Sequence, residues 1–217
     1  MAVFIHKIHF EMKKFLSILF LSICSISFSF AQEDVMQQVM ASFKDMKSVE
    51  ANVARTVHNV MFEKDGKSTG KFYFKKPDKM VLSFDNGKDK LIMDGETFAM
   101  VKDGKKNTAD GKGNDQLKSL TLFLKNLGAG EESDVELSDI ADVDMTKKGD
   151  LLIVTVSPIV ADAKAKRRQM FSSFIITVDQ KEGQLKSIRM NEKGQNYTQY
   201  DFSDFKVNGE IDDKVFK

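Results

Sequence analysis

Residue types that do chemistry are few in this sequence, and they are scattered. Beyond residue 31 there is one histidine, His58, and no cysteine. A thiolate zinc site, a cysteine nucleophile and a disulfide framework are therefore excluded there. A Ser-His-Asp relay or a two-histidine metal site needs partners for His58 that no motif supplies, so it reads as a partly exposed strand histidine. Asp139, Asp142 and Asp144 cluster, and an acidic surface loop accounts for them. The closest calcium-like run is Asp110-Gly111-Lys112-Gly113-Asn114-Asp115. A lysine fills a ligand slot in it, and the sixth-position glycine and closing glutamate are missing. Lys164-Ala165-Lys166-Arg167-Arg168 is a basic cluster before a strand, either a solvated loop or a docking patch for a partner or for anionic headgroups. Lys+Arg and Asp+Glu number 33 and 32, so no electrostatic footprint for nucleic acid exists. No enzyme, cofactor or metal is expected.

The remaining lead is apolar. The chain has 18 Phe and 12 Met but no Trp, and flexible thioethers and flat rings adapt to variable apolar guests. These residues must be positioned by elements legible from their spacing. Over Glu33–Lys47, Val35, Met36, Val39, Met40, Phe43 and Met46 form the stripe of an amphipathic helix. From Val49 the period becomes two, predicting a long strand that runs to Phe62. Short strands follow over Thr69–Lys76, Lys79–Phe84, Lys90–Met93 and Thr97–Val101, separated by turn signals such as Asn86-Gly87 and Asp94-Gly95. A polar loop spans Lys102 to Asp115. A second helix is predicted over Gln116–Leu127, ending at Gly128. Residues 129–148 read as acidic and weakly structured, with a short helical turn near Asp139–Met145. Strands resume over Leu151–Ser157, Met170–Val178, Gln184–Asn191 and Asn196–Phe205, and Lys214–Phe216 is expected to pair at an edge.

The pattern predicts a mainly β, α+β fold: one strongly curved antiparallel sheet, a half-barrel of about 9–11 strands, with its concave apolar face covered by helices. Before it, Met12-Lys13-Lys14 and the apolar run Phe15–Phe30, ending in Ser29-Phe30-Ala31, form a secretory signal peptide with cleavage before Gln32. Residues 1–31 are thus a leader, with Met12 the more natural start, and 32–217 are a single domain. Leu21-Ser22-Ile23-Cys24 has the outline of a lipidation site. Bulky Ile23 and the apolar leader beyond it make a Cys24 anchor the minor alternative.

Several of these segments carry a family resemblance. Gly70-Lys71-Phe72-Tyr73-Phe74-Lys75-Lys76-Pro77, then Asp94-Gly95-Glu96-Thr97-Phe98, then Phe202-Ser203-Asp204-Phe205-Lys206-Val207-Asn208 and a closing Phe216 resemble, in order and spacing, the LolA family of periplasmic lipoprotein carriers. The resemblance covers most of the chain beyond the leader. It implies a half-barrel of about eleven strands with a helical lid, a periplasmic location, and a monomer that takes acylated cargo from an inner-membrane ABC-type release complex to an outer-membrane acceptor. Lys76 stands where the family has the arginine that helps hold the lid, and is the lid-closing candidate. Ala99-Met100-Val101 replaces an aromatic-rich stretch.

The residues expected to face the cargo are Met36, Met40, Phe43, Phe72, Phe74, Met80, Leu82, Phe84, Ile92, Phe98, Met100, Leu120, Phe123 and Leu124. Two other readings stand beside a carrier of lipoproteins or another lipidated cargo. One is a regulatory binding module of the same fold that acts on a membrane-bound signalling partner; the other is an esterase-like enzyme.

Overall fold

The computed structural model describes residues 41, 43–94, 97–109, 115–129, 137–160 and 162–216. Eleven strands form one antiparallel sheet: β1 (Ser48–His58), β2 (Gly66–Lys75), β3 (Lys79–Phe84), β4 (Asp89–Asp94), β5 (Thr97–Lys102), β6 (Lys105–Ala109), β7 (Ala141–Lys148), β8 (Leu151–Pro158), β9 (Phe171–Asp179), β10 (Gln184–Glu192) and β11 (Tyr197–Val207). Their order is β6-β5-β4-β3-β2-β1-β11-β10-β9-β8-β7, so the first and last strands pair at the centre and the sheet is not closed. A long helix (Asp115–Ala129) follows β6, and a short one (Ala163–Arg168) separates β8 from β9. The turn over Asp85–Gly87 has all three residues at positive φ, a conformation tolerated by the Asn86-Gly87 pair.

Alternation divides the sheet into two faces. Across the register Val49–Phe74–Met80–Met93–Phe98, and likewise Ala51–Phe72–Leu82, apolar side chains share one face. On the other half, Val154, Ile176 and Ile188 continue that face by their pairings. Nearly all these side chains are buried, with Val154, Phe174 and Ile176 fully so.

That face is concave, as contacts across several strands demonstrate. Strands three places apart are separated by about 14 Å in a flat sheet. Yet Arg55 of β1 brings Nη2 to 3.7 Å from Asp89 Oδ2 of β4. The rings of Phe84 on β3 and Tyr200 on β11 lie 6.1 Å apart, and those of Phe72 and Phe202 meet at 4.9 Å across β1. Gly70 makes the curl possible, because a Cβ there would lie 2.2 Å from the Ser83 carbonyl oxygen and 2.6 Å from the Phe84 ring. Phe84 occupies that space, and the Arg55 guanidinium lies over it, 4.2 Å from the ring centre. Arg55 Nε donates to Ser68 Oγ at 2.9 Å.

Asp89, 5% exposed, anchors this polar end. Lys102 Nζ donates to it at 2.7 Å and the Asp103 N–H at 3.2 Å. Those two hydrogen bonds, the Lys102 one foremost, hold the carboxyl below its ordinary value of 3.8, aided by the Lys102 and Arg55 charges. The same bond raises the Lys102 ammonium.

The convex face has a smaller core of Val81, Ile92, Ala99 and Phe216, with Tyr73, Val101, Ile211 and Val215 packed against it. Lys75 Nζ donates to Asp213 at 2.6 Å and pins the last turn there. Residues Asp213–Phe216 form a 3-10 turn and not the expected edge strand, because burying Phe216 and partly burying Val215 on the outer face uses the segment better than a three-residue pairing.

Other expectations are corrected too. β1 stops at His58 rather than near Phe62, where Asn59 begins a turn. The polar stretch after Lys102 contains β6, and in the acidic stretch the helical turn lies at Leu137–Asp139, just ahead of the expected position, with β7 taking up most of the range expected for it. In β7 Asp142 and Asp144 alternate with the more buried Ala141 and Val143, so these carboxylates decorate an edge strand. Charge on an edge discourages pairing with other chains. The basic cluster is helical, not a loop.

Two outcomes follow. Gly70→Ala should destabilise the fold by about 1–3 kcal/mol through overpacking, whereas Gly66→Ala, whose Cβ meets only ordinary contacts at 3.7 Å, should stay within about 0.5 kcal/mol. Denaturant unfolding of both distinguishes them. Because the Asp89 carboxyl titrates lower in the folded chain, its contribution is present above pH 3.8 and is lost as pH falls through the folded value. Asp89→Asn should therefore lower stability at neutral pH and flatten the acid limb of a stability–pH curve.

Candidate binding cleft

The β1 start and the β11 end meet where Val49 pairs with Val207. Above this pair opens an apolar cleft of about 510 Å³, including the part open to solvent. Phe72, Phe74 and Met80 form one wall, and Leu185, Phe205 and Val207 the other. Leu124 of the long helix and Phe43 and Met46, just before β1, complete it. A smaller recess of about 260 Å³ adjoins, sharing Phe74, Met80 and Leu124 and adding Asp78, Met93, Thr121 and Lys125.

The long helix sits over the concave face through its apolar stripe. Leu117, Leu120, Phe123 and Leu124 are buried, and Thr121 Oγ1 lies 3.4 Å from Met93 Sδ. Spacings of three and four place these residues on one side of the helix.

The segment entering β1 is tied down at its carbonyls. Lys76 Nζ donates to the Lys44 carbonyl at 2.6 Å, and the Lys76 N–H to that of Lys47 at 2.9 Å. Asn208, at a positive φ of 60°, accepts from the Lys47 N–H at 2.6 Å and donates through Nδ2 to the Asp45 carbonyl at 3.2 Å. Phe43 and Met46 are thus presented to the cleft by two side chains, 132 residues apart in sequence, that grip the same short stretch of backbone.

Of the residues expected to line such a space, Phe43, Phe72, Phe74, Met80 and Leu124 are brought together in the cleft. Leu82, Phe84, Phe98, Leu120 and Phe123 are buried outside its lining. Ile92 is a correction: it pairs with Val81 and Ala99, one step out of phase with Met93, and joins the convex core. Met100 is 47% exposed next to the edge strand. Met36 and Met40 lie outside the described residues. Met46, Leu185, Phe205 and Val207 were absent from that set. Met46 lies in the helical apolar stripe, but the other three enter the cleft only through the β1–β11–β10 pairings, for which the sequence carries no local signal.

The chemically versatile residues do not converge there. His58 Nδ1 pairs with Asp65 at 2.8 Å, and the ring stacks on Tyr197 at 4.8 Å, at the opposite end of β1. Among the described residues no group of three or more His, Cys, Asp or Glu side chains is placed to hold a metal. The calcium-like run lies outside the described residues up to Asn114. No helix among the described residues is long and apolar enough to cross a membrane.

Several solved structures are distantly similar to the chain. A DUF1329 family protein from Desulfovibrio piger is 11% identical, with 85% of this chain and 96% of that one covered and a TM-score of 0.44. A LolA superfamily protein from Nitrosomonas europaea is 10% identical over the same shares, with a TM-score of 0.43. In the MucA/MucB complex of Pseudomonas aeruginosa, the matching chain is 10% identical, with shares of 85% and 59% and a TM-score of 0.39. No curated protein sequence matches the chain. The model of the family described as outer membrane lipoprotein carrier protein LolA matches residues 44–217, which take in all eleven strands and both helices. The chain belongs to the LolA family.

Proposed function

We propose that this protein is a carrier that shields the acyl chains of lipoproteins, or of another lipidated cargo, in the concave cleft. In this reading residues 1–31 are removed on export to the periplasm, and residues 32–217 form one binding domain without enzymatic activity. An inner-membrane release complex loads the carrier, and an outer-membrane acceptor unloads it.

The observation that carries this reading is the cleft itself, whose lining side chains are apolar except for Gln184. Each methylene removed from water gains about 0.8 kcal/mol, so about ten buried methylenes correspond to about 8 kcal/mol before association costs. Once those costs are subtracted the net affinity is weaker than the micromolar level that about 8 kcal/mol alone would give, so an acceptor that binds the chain better can remove it. Phe43 and Met46 reach the cleft on the segment held by Lys76 and Asn208. Releasing those grips would widen the mouth. Lysine in place of the family's arginine offers a point charge rather than a planar fork, and so a looser latch.

Native mass spectrometry of protein purified without detergent tests the reading. Acyl-bearing species support it. An empty protein that captures a signalling domain would replace it with the regulatory module, and ester turnover abolished by His58→Ala would replace it with an enzyme. Met46→Glu places a charge at the half-buried rim and should cut uptake of a fluorescent fatty acid at least ten-fold with little change in Tm. Unchanged uptake in that variant removes the cleft as the binding site. Lys76→Met should speed probe exchange roughly five-fold, for the loss of about 1 kcal/mol of hydrogen bonding, while Lys76→Arg slows it. Stopped-flow displacement reads both.

A further inference from the structure

The other end of β1 carries a surface that the cleft does not explain. After His58 the chain turns, and Val60, Met61 and Phe62 stand 56%, 84% and 71% exposed. Three consecutive large apolar side chains at a loop tip are costly in water. Their backbone N–H groups, however, are already satisfied from within. The Val60 N–H donates to Asn196 Oδ1 at 3.0 Å, the Met61 N–H to Asn59 Oδ1 at 2.9 Å, and the Phe62 N–H to the Asn59 carbonyl at 2.9 Å. A tip whose donors need no water can enter the headgroup layer without stranding those N–H groups.

Asn196 belongs to the β10–β11 turn, and the same turn holds the basic helix. Lys193 Nζ donates to the Lys166 and Arg167 carbonyls at 3.0 and 2.7 Å. Lys164, Lys166 and Arg167 are exposed, and Met170 beyond them is 63% exposed. The segment from Asp162 to Met170 holds one carboxylate and four cations. Apolar tip and basic flank are thus fastened to one turn at one end of the sheet.

We propose that this end docks on an anionic lipid surface, with Val60, Met61 and Phe62 entering the headgroup layer and the Lys164–Arg168 segment binding lipid phosphates. A lipid surface fits better than a protein partner. A three-residue tip supplies far less area than the 1,200–2,000 Å² typical of a stable protein interface, whereas a bilayer needs no complementary shape. Positive charge beside protruding apolar side chains is the combination that interfacial binding uses. The cleft lies at the opposite end of β1, roughly 30 Å away for a strand of this length. Docking therefore leaves the cleft uncovered, and the proposal stands or falls independently of what the cleft binds.

Co-sedimentation with vesicles tests it, using protein in the form in which it accumulates in cells. Vesicles are phosphatidylcholine alone, or phosphatidylcholine and phosphatidylglycerol in equal parts. The protein should bind the anionic vesicles, and Met61→Ser/Phe62→Ser should weaken binding at least ten-fold. Lys166→Ala/Arg167→Ala should weaken it roughly twenty-fold, since each cation near such a surface strengthens binding roughly five-fold. Both variants should keep the wild-type far-UV circular dichroism spectrum and Tm, which shows that they are folded. Absence of binding to anionic vesicles, or binding equal to wild type in both variants, overturns the proposal. So does loss of an acidic protein partner in the tip variant when vesicle binding was never present.

Discussion

The curl of the sheet is the constraint on which everything else rests, and it is set where β2 has no side chain to offer. At Gly70 the Phe84 ring crosses over a neighbouring strand, and Arg55 settles on that ring. Side chains from strands that would be far apart in a flat sheet can then touch. Only a curled sheet lets β3 and β10 contribute to one apolar space. A flat sheet of eleven strands would need two covering layers, and the described chain has a single long helix for that work. The polar cluster around Asp89 sets fixed charges toward one end of the trough, and the apolar cleft opens toward the other.

The two faces do different jobs. Inside, Met80, Met93 and the Phe side chains combine adaptable thioethers with flat rings, and the space they bound can change shape at little cost. Outside, Val81, Ile92 and Phe216 form a small rigid wedge against the same three strands. Lys76 and Asn208 come from opposite ends of the sequence, and they converge on the carbonyls of residues 44–47. The position of Phe43 and Met46 is therefore controlled from the sheet, by hydrogen bonds to the backbone of their segment.

The legible parts of this structure were those with local signals. Alternation and Asn-Gly or Asp-Gly turns marked β2 to β5 to within a few residues, and the Leu117–Leu124 spacing marked the long helix. β6 and β7 escaped because edge strands are written in polar residues: Lys105-Lys106 and Asp142, Asp144 serve solvent and deter pairing, which hides the alternation. In the cleft, Phe72, Phe74 and Met80 were legible from strand period. Ile92 was misplaced because β4 buries residues on both faces, so hydrophobicity alone does not reveal which way a side chain points. Leu185 and Val207 enter through long-range pairing, and no window of sequence contains that information. The LolA resemblance supplied the general shape but not these residues.

The meeting of the first and last strands has a consequence for how the protein comes into being. β1 to β6 form one wing of the sheet and β7 to β10 the other, and β11 is the hinge plate that joins them. As the chain is synthesised, the two wings have no ladder between them until β11, Tyr197–Val207, has appeared. An apolar trough that existed earlier would be a trap for any greasy molecule nearby. With its assembly deferred until β11 pairs with both wings, the apolar trough forms all at once.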